Sequence, residues 1–496
     1  MTTYYNYIIE PASLFRPALI IRFLLLAFFL STWTYPQIST KKLNDYADKY
    51  YSLYKVPALE VGLQMPDSTR WTAYRGYSDL ENGIPAGPKS LFRIASISKL
   101  ITSIAIMQLV ETGKIKLDDD VRKYLPEFPR KKYVFTIRHI LNHTSGLRTY
   151  RAKEFDLTIY FGSSIDAVNY IAKDSLEFKP GSRYLYSTLS YNLLAAVIEK
   201  VSGKLFVDYI KENIFTPAKM NTARFDVQRS LISNRAKGYS KNATREFENA
   251  GLADLSIKYA GGGMLCSLED LLNLGSALLN NNLITGASLD SVLRPSKQNP
   301  TYGLGVTINS VNNEIQYFGH SGAGTGFVSN LIIHPRKKMV TAHLINLRDR
   351  NIGDAAKDIL ILASGDSSLT LPFCLLDDSL HILYSSGGIK EVISFLDTLR
   401  ADDSLACVYN LPEILDFTRD LVALNKRESA IKLLNHLNIL HENDAAILTE
   451  LGKTYIMDQN IGLGLKFLKI AFEKSKDPAL NKYIKEQEKI NKKRPN

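Results

Sequence analysis

Ser96 and Lys99, in the stretch FRIASISK, are the residues whose types and spacing most directly suggest chemistry. A serine hydroxyl is a weak nucleophile until a base takes its proton, and a lysine held out of water can lose its own proton near neutral pH and do so. Three positions apart on a helix, the two side chains share a face. The tetrapeptide alone is not selective, because Ser-x-x-Lys also begins at Ser39, Ser52 and Ser429. Context separates the copies. Behind Ser96 runs LITSIAIMQLVETGK, apolar nearly all round and closed by a glycine where a helix would cap. Ser96 therefore opens a buried helix, whose positive end favours negative charge developing on the hydroxyl. Ser39 lies just past an apolar N-terminal segment, Ser52 in a polar amphipathic stretch and Ser429 in a repeat helix.

The elements that must position this pair follow from periodicity. VPALEVGLQ and WTAYRGYS flank the turn-like MPDSTR and read as a hairpin. Helical patterns dominate from about Ser96 to Leu293. Strands return as YGLGVTINS, EIQYFGHSG, GFVSNLIIHP and MVTAHLINL, with short turns that imply an antiparallel meander. Early and late strands around a helical middle predict an α+β fold, an antiparallel sheet flanked by helices. NIGDAAKDILILASG would close it. Beyond residue 365 the pattern changes to a period of 34, which superposes Ile414 on Leu448, Phe417 on Leu451, Ala430 on Gly464 and Leu434 on Leu468. That period resembles tetratricopeptide repeats, two helices per unit, with a degenerate unit upstream in GGIKEVISFLDTLRADD. The expected organisation is an export signal at 1–38, a catalytic domain at 39–365, a linker with the degenerate unit at 366–404, and an all-α helical repeat domain at 405–490.

FRIASISK, LDDDVRKYLPEFP, IRHILNHTSGL, FKPGSRYLYSTLSYNLLAAVIEKVSG, the GGGM segment, YGLGV and GHSGAGTGF occur in an order that resembles serine β-lactamase-like hydrolases of the class C and penicillin-binding-protein superfamily. RIASISK and the YST variant are most similar to the mitochondrial serine β-lactamase-like branch and its bacterial relatives. The resemblance covers about 43–365. It implies Ser96 as the acylated nucleophile, Lys99 as general base and Tyr186 as the group that shuttles a proton to the leaving group. It also implies an oxyanion hole from the backbone N–H groups of Ser96 and Ala323, and substrate contacts from Thr188, His320, Ser321 and Gly322. Two departures stand out. Thr188 replaces the asparagine of Tyr-x-Asn, removing an amide that helps hold the lysine. His320 replaces the lysine of Lys-Thr-Gly, and an unperturbed histidine would be only partly charged at neutral pH. Weaker capture of a carboxylate is expected, so ester or peptide cleavage is favoured over efficient antibiotic hydrolysis. The alternative is a binding protein with a degenerate pocket, whose repeats engage a peptide partner. GHSGA also imitates the nucleophile elbow of α/β-hydrolases. It has Ala323 at the last glycine and no strand–turn–helix setting, so Ser321 is not the expected nucleophile. His143 is expected to position its loop, and Tyr184 and Tyr191 to pack.

The bulk numbers of the 496-residue chain fit this reading. Hydrophobic residues at 45% and charged residues at 22% are ordinary for a globular protein, and the length suggests two domains. The net charge of +11 is spread along the chain without a nucleic-acid motif. Arg16 and Arg22 precede FLLLAFFLSTWTY, shorter than the ~20 apolar residues of a spanning helix and suited to an export signal, with a membrane anchor as the alternative. A periplasmic or secreted location follows. Cys266, Cys374 and Cys407 allow at most one disulfide, and the scattered histidines show no zinc-like spacing. The expected partners are a small-molecule or peptide substrate and a protein on the repeats, with no cofactor, metal or nucleic acid.

Overall fold

The computed structural model describes residues 39–492 apart from 152, 367, 368, 370, 372–374 and 403–407. The proposed export signal, Cys374 and Cys407 therefore lie outside the described residues, while Cys266 is a buried free thiol. Among the described residues no helix is long and apolar enough to cross a membrane.

Helix α1 (Thr40–Tyr54) leads into the hairpin β1 (Ala58–Gln64) and β2 (Arg70–Asp79), with the two-residue β3 (Ile84–Pro85) at its edge. A short strand, β4 (Phe92–Arg93), then delivers the chain into α2 (Ile97–Glu111). The helical middle includes α3 (Tyr191–Ser202) and α4 (Leu268–Leu279), and it holds more than the sequence separated. Its strand β5 (Met264–Cys266) pairs with β4 and ties the segment before Ser96 to the glycine-rich stretch at 261–263. The late meander is β6 (Thr307–Val311), β7 (Glu314–Gly324), β8 (Phe327–His334) and β9 (Met339–Ile345). The sheet order β3-β2-β1-β9-β8-β7-β6 joins both ends of the domain through the antiparallel β1–β9 pair, as expected from the sequence.

The sheet sorts its side chains by the two-residue period of a strand. Leu59, Val61, Leu63 and Ile332 pack with Tyr46, Tyr50 and helix α5 (Ala355–Ala363) on one face. Ala58, Leu331, Ile333 and Leu344 face the larger core around α2 and α4 on the other. Helix α2 is buried at twelve of its fifteen positions, Lys99 included. A lysine is carried into such a helix only for a reason, because desolvating its charge is costly.

Beyond the sheet the chain is all-helical. Helix α6 (Leu376–Ala401) breaks at Gly388, where φ is 69°. Four helices follow: α7 (Leu411–Ala423), α8 (Arg427–Leu440), α9 (Ala445–Met457) and α10 (Ile461–Ser475), then α11 (Pro478–Lys492). The pair α9/α10 starts 34 residues after α7/α8 at both helices (445 − 411 and 461 − 427). The superposed positions Ile414 and Leu448, Phe417 and Leu451, and Leu434 and Leu468 are all buried.

This region is anchored to the sheet domain by ions. Arg350 pairs with Asp377 at 3.0 Å and with Asp420 at 2.5 Å, Arg245 with Asp377 at 3.2 Å, and Lys55 with Asp378 at 2.9 Å. Asp377, His381 and Asp420 gather as a cation site would, but the Arg350 guanidinium bonds both carboxylates and fills that role.

Candidate active site

The turn from β4 into α2 puts Ser96 at the start of the helix. Ala95 just before it has φ 43°, left-handed backbone that a side chain adopts only under strain, of the kind found at reactive turns. Ser96 stands at the N-cap position but makes no capping hydrogen bond with its side chain, so its hydroxyl is left to other partners. One turn on, Lys99 Nζ lies 3.1 Å from Ser96 Oγ, 3.0 Å from Thr188 Oγ1 and 2.6 Å from the Gly261 carbonyl oxygen. Burial drives the Lys99 pKa well below the ordinary lysine value, with the positive charge of Lys258 adding to the effect. A neutral amine fits the three contacts. Two N–H bonds go to Gly261 O and Thr188 Oγ1, and the lone pair accepts the Ser96 O–H. That is the arrangement of a nucleophile with its base already engaged.

Tyr186 comes to the same place from the loop ahead of α3, its ring 4.7 Å from Lys99 Nζ. Burial raises its phenol pKa, and its contact with Ser96 opposes part of the rise. Thr188 corrects the expectation drawn from the missing asparagine: its hydroxyl accepts from Lys99, so the lysine keeps a partner there. Strand β7 brings His320, Ser321, Gly322 and Ala323 past the turn. A Cβ on Gly322 would sit 2.3 Å from the Ile94 carbonyl oxygen, so only glycine lets the strand come this close to Ser96. Ser329 on β8 fixes the approach, donating to that same carbonyl at 3.0 Å. Strand β6 pairs with β7 only as far as Gly319, which leaves the edge from His320 onward facing the cleft.

His320 departs from its sequence-based expectation. Desolvation, helped by Lys99, lowers its pKa to about 3, so it is neutral and not partly charged. The hydrogen bonds assign its protons. Nδ1 lies 2.6 Å from the Ser321 carbonyl oxygen, which can only accept, so Nδ1 carries the hydrogen. Nε2 then accepts from the Tyr302 hydroxyl at 3.0 Å. Tyr302 in turn accepts from His143 Nε2 at 3.2 Å, and His143 Nδ1 accepts from the Ser187 N–H at 3.2 Å. His143 thus positions its loop, as expected from the sequence. Tyr191 packs in the same aromatic cluster and donates to the Leu141 carbonyl at 2.8 Å, whereas Tyr184 also lines the cleft.

Ser96 lies between two spaces. An outer cleft of about 470 Å³ is lined by Tyr186, His320 and Ser321, and a narrow inner recess of about 30 Å³ by Lys258, Gly261 and Thr325. Ser96, Tyr150, Phe155, Thr188 and Ala323 border both. Every residue expected at the site is therefore brought together, whereas the other Ser-x-x-Lys copies lie elsewhere, Ser39 just before α1, Ser52 on α1 and Ser429 on α8. Tyr150, Lys258, Tyr302 and the Gly261 carbonyl escaped the sequence reading. Gly261 opens the GGGM segment and Tyr302 the YGLGV segment, so those motifs hinted at both, whereas a lone lysine or a single tyrosine in a loop carries no spacing signal.

Comparison with known proteins agrees with this geometry. Residues 43–365, well over half of the chain, match the family model described as Beta-lactamase. The chain is 29% identical over 379 residues to the serine beta-lactamase-like protein LACTB, mitochondrial, of Homo sapiens, covering 57% of this chain and 69% of that protein. The crystal structure of a penicillin binding protein from Bacillus halodurans superposes with a TM-score of 0.57 at 25% identity, over 64% of this chain and 98% of that one. A D-stereospecific amidohydrolase from Streptomyces shares the fold with a TM-score of 0.55 at 24% identity, over 67% of this chain and 100% of that one.

Proposed function

The chain belongs to the β-lactamase family of serine hydrolases, and from that premise we propose that it is an exported enzyme cleaving an ester, amide or peptide through an acyl-enzyme on Ser96. The observation that carries the reading is the Ser96–Lys99–Thr188–Gly261 contact set around a buried lysine. Lys99 takes the hydroxyl proton as Ser96 Oγ attacks the carbonyl carbon, and the backbone N–H groups of Ser96 and Ala323 stabilise the resulting oxyanion. As the tetrahedral species collapses, the bond to the leaving group breaks, and Tyr186 passes it a proton while regaining one from the protonated Lys99, which restores the neutral amine. Water then adds to the acyl carbon, giving up a proton to the same base system, which returns it to Ser96 Oγ as the Oγ–carbon bond breaks and the acid leaves.

The neutral His320 supports esters and peptides over β-lactams. Its one N–H is spent on Ser321 and its other nitrogen accepts from Tyr302, so the outer cleft offers no cation there for a leaving-group carboxylate. Residues 1–38 act as the export signal, placing the enzyme in the periplasm or outside the cell. The helical pairs beyond residue 405 are a tetratricopeptide-like module for a protein partner. A turnover panel tests the catalytic reading: 4-nitrophenyl esters are hydrolysed and Ser96→Ala abolishes this. Nitrocefin hydrolysis with a kcat/KM typical of dedicated β-lactamases would contradict it.

A further inference from the structure

The inner recess is built around a cation the proposed mechanism does not consume. Lys258 is 5% exposed and points into the space beside Ser96. One of its three N–H bonds goes to the Phe155 carbonyl oxygen. The ammonium also sits 4.4 Å from the Phe155 ring centroid and 5.5 Å from that of Tyr150. Among the described residues no carboxylate lies within ion-pair distance of it. Asp156 is the carboxylate whose charge reaches it from beyond ion-pair distance, opposed by Arg93 and Arg348. Arg93 reaches the same recess, but its carboxylate, Asp226, is shared with Arg235, at 2.7 and 3.1 Å. Arg348 lies against Phe155, 4.5 Å from the ring centroid. Asp156 accepts from Thr325. A buried ammonium with unspent donors is costly unless something anionic completes it.

The size of the recess is informative. About 30 Å³ is room for roughly two water-sized groups, the bulk of the two oxygens of a carboxylate. Its place on the reaction path follows from Tyr186. That residue lines the outer cleft, so a leaving group protonated by Tyr186 departs outward, and the acyl portion occupies the inner side.

We infer that Lys258 forms an anion subsite, and that the preferred substrates are esters or amides of a short acyl group ending in a carboxylate. This rests on the acyl-enzyme reading for its place in catalysis, though the binding of the anion does not. Charge recognition lies on the acyl side of Ser96, opposite the neutral His320.

The test compares the 4-nitrophenyl hemiesters of succinate and glutarate with the neutral 4-nitrophenyl butyrate and valerate. The expected result is a kcat/KM at least tenfold higher for a hemiester than for its neutral counterpart, with that ratio collapsing in Lys258→Met. The ratio is the readout because Lys258 also acts on Lys99, an effect common to both ester types. The wild-type protein supplies a second readout that needs no variant to fold. Burial lowers the Lys258 pKa to about 8, so the preference should fade as pH rises through that value. Asp156, Arg93, Arg348, Lys99 and Tyr150 are the charged or titratable groups around it, and the neutral ester corrects for their effect on the chemistry. Succinate and glutarate binding to Ser96→Ala, followed by calorimetry and lost on adding Lys258→Met, reads the subsite without turnover. If that binding is present and neither ester is cleaved, the hydrolase reading fails while the subsite stands. Absence of any hemiester preference, or an equal loss on both ester types in Lys258→Met, overturns the inference and leaves Lys258 a support for the Phe155 loop.

Discussion

At the scale of single residues, the site is a set of groups kept neutral by burial. Lys99, His320 and His143 all have depressed proton affinities, and desolvation is the largest cause for each. Protonation of His320 costs the folded protein more than the unfolded chain. Its contribution to stability is therefore complete above the ordinary histidine range near 6.5 and is lost as pH falls from there towards about 3. Urea midpoints should drop across that window in the wild type, and the drop should be shallower in His320→Gln; identical slopes would contradict the neutral assignment. Thr188 supplies one of the three Lys99 contacts, so Thr188→Val should lower kcat/KM for an ester about tenfold, about 1.4 kcal/mol of lost positioning. A steady-state assay with unchanged kcat/KM would show that the hydroxyl is idle. Ser96, Lys99, Tyr186, Thr188 and His320 were legible in the sequence because helix spacing and motif order mark them. Lys258 was not, since a lone lysine carries no pattern and its burial depends on the Phe155 loop folding over it. The charge state of His320 was also invisible, because burial sets it.

At the scale of elements, the site is where three pieces of backbone nearly touch: the β4–α2 turn, strand β7 and the glycine-rich stretch before β5. Gly261 shows how little slack there is. A Cβ there would lie 2.7 Å from the Thr188 carbonyl oxygen and 2.8 Å from its methyl carbon. Gly261→Ala should push Thr188 and the Gly261 carbonyl apart, disturbing two of the three Lys99 contacts. Loss of ester turnover by about a hundredfold or more, with Tm lowered by several degrees, is expected. Wild-type kinetics in that variant would mean the loops yield more easily than the geometry implies. The hairpin, meander and closing helix were readable from their two-residue and helical periods. The pairing of β4 with β5 was not, because strands of two and three residues leave no periodic trace.

At the scale of the whole molecule, ion pairs centred on the buried Asp377 join the helical region to the sheet domain, and Arg350 is the side chain that reaches Asp377, Asp416 and Asp420 together. Arg350→Ala leaves the buried Asp377 with Arg245 as its remaining arginine. It should cost about 2 kcal/mol in urea unfolding and make limited proteolysis between the two regions faster, while leaving ester turnover nearly intact. Unaltered unfolding would show that apolar packing holds the regions together. The 34-residue period announced helical pairs from sequence, but not this seam, because its acids and arginines are far apart in the chain. The central claim, a covalent intermediate on Ser96 with Lys99 as its base, is tested most directly by intact mass and peptide mapping after fluorophosphonate treatment. The account predicts one adduct, on Ser96, forming at neutral pH and absent in Ser96→Ala and Lys99→Ala. Folded wild-type protein that takes no adduct, or takes it on another serine, would contradict it.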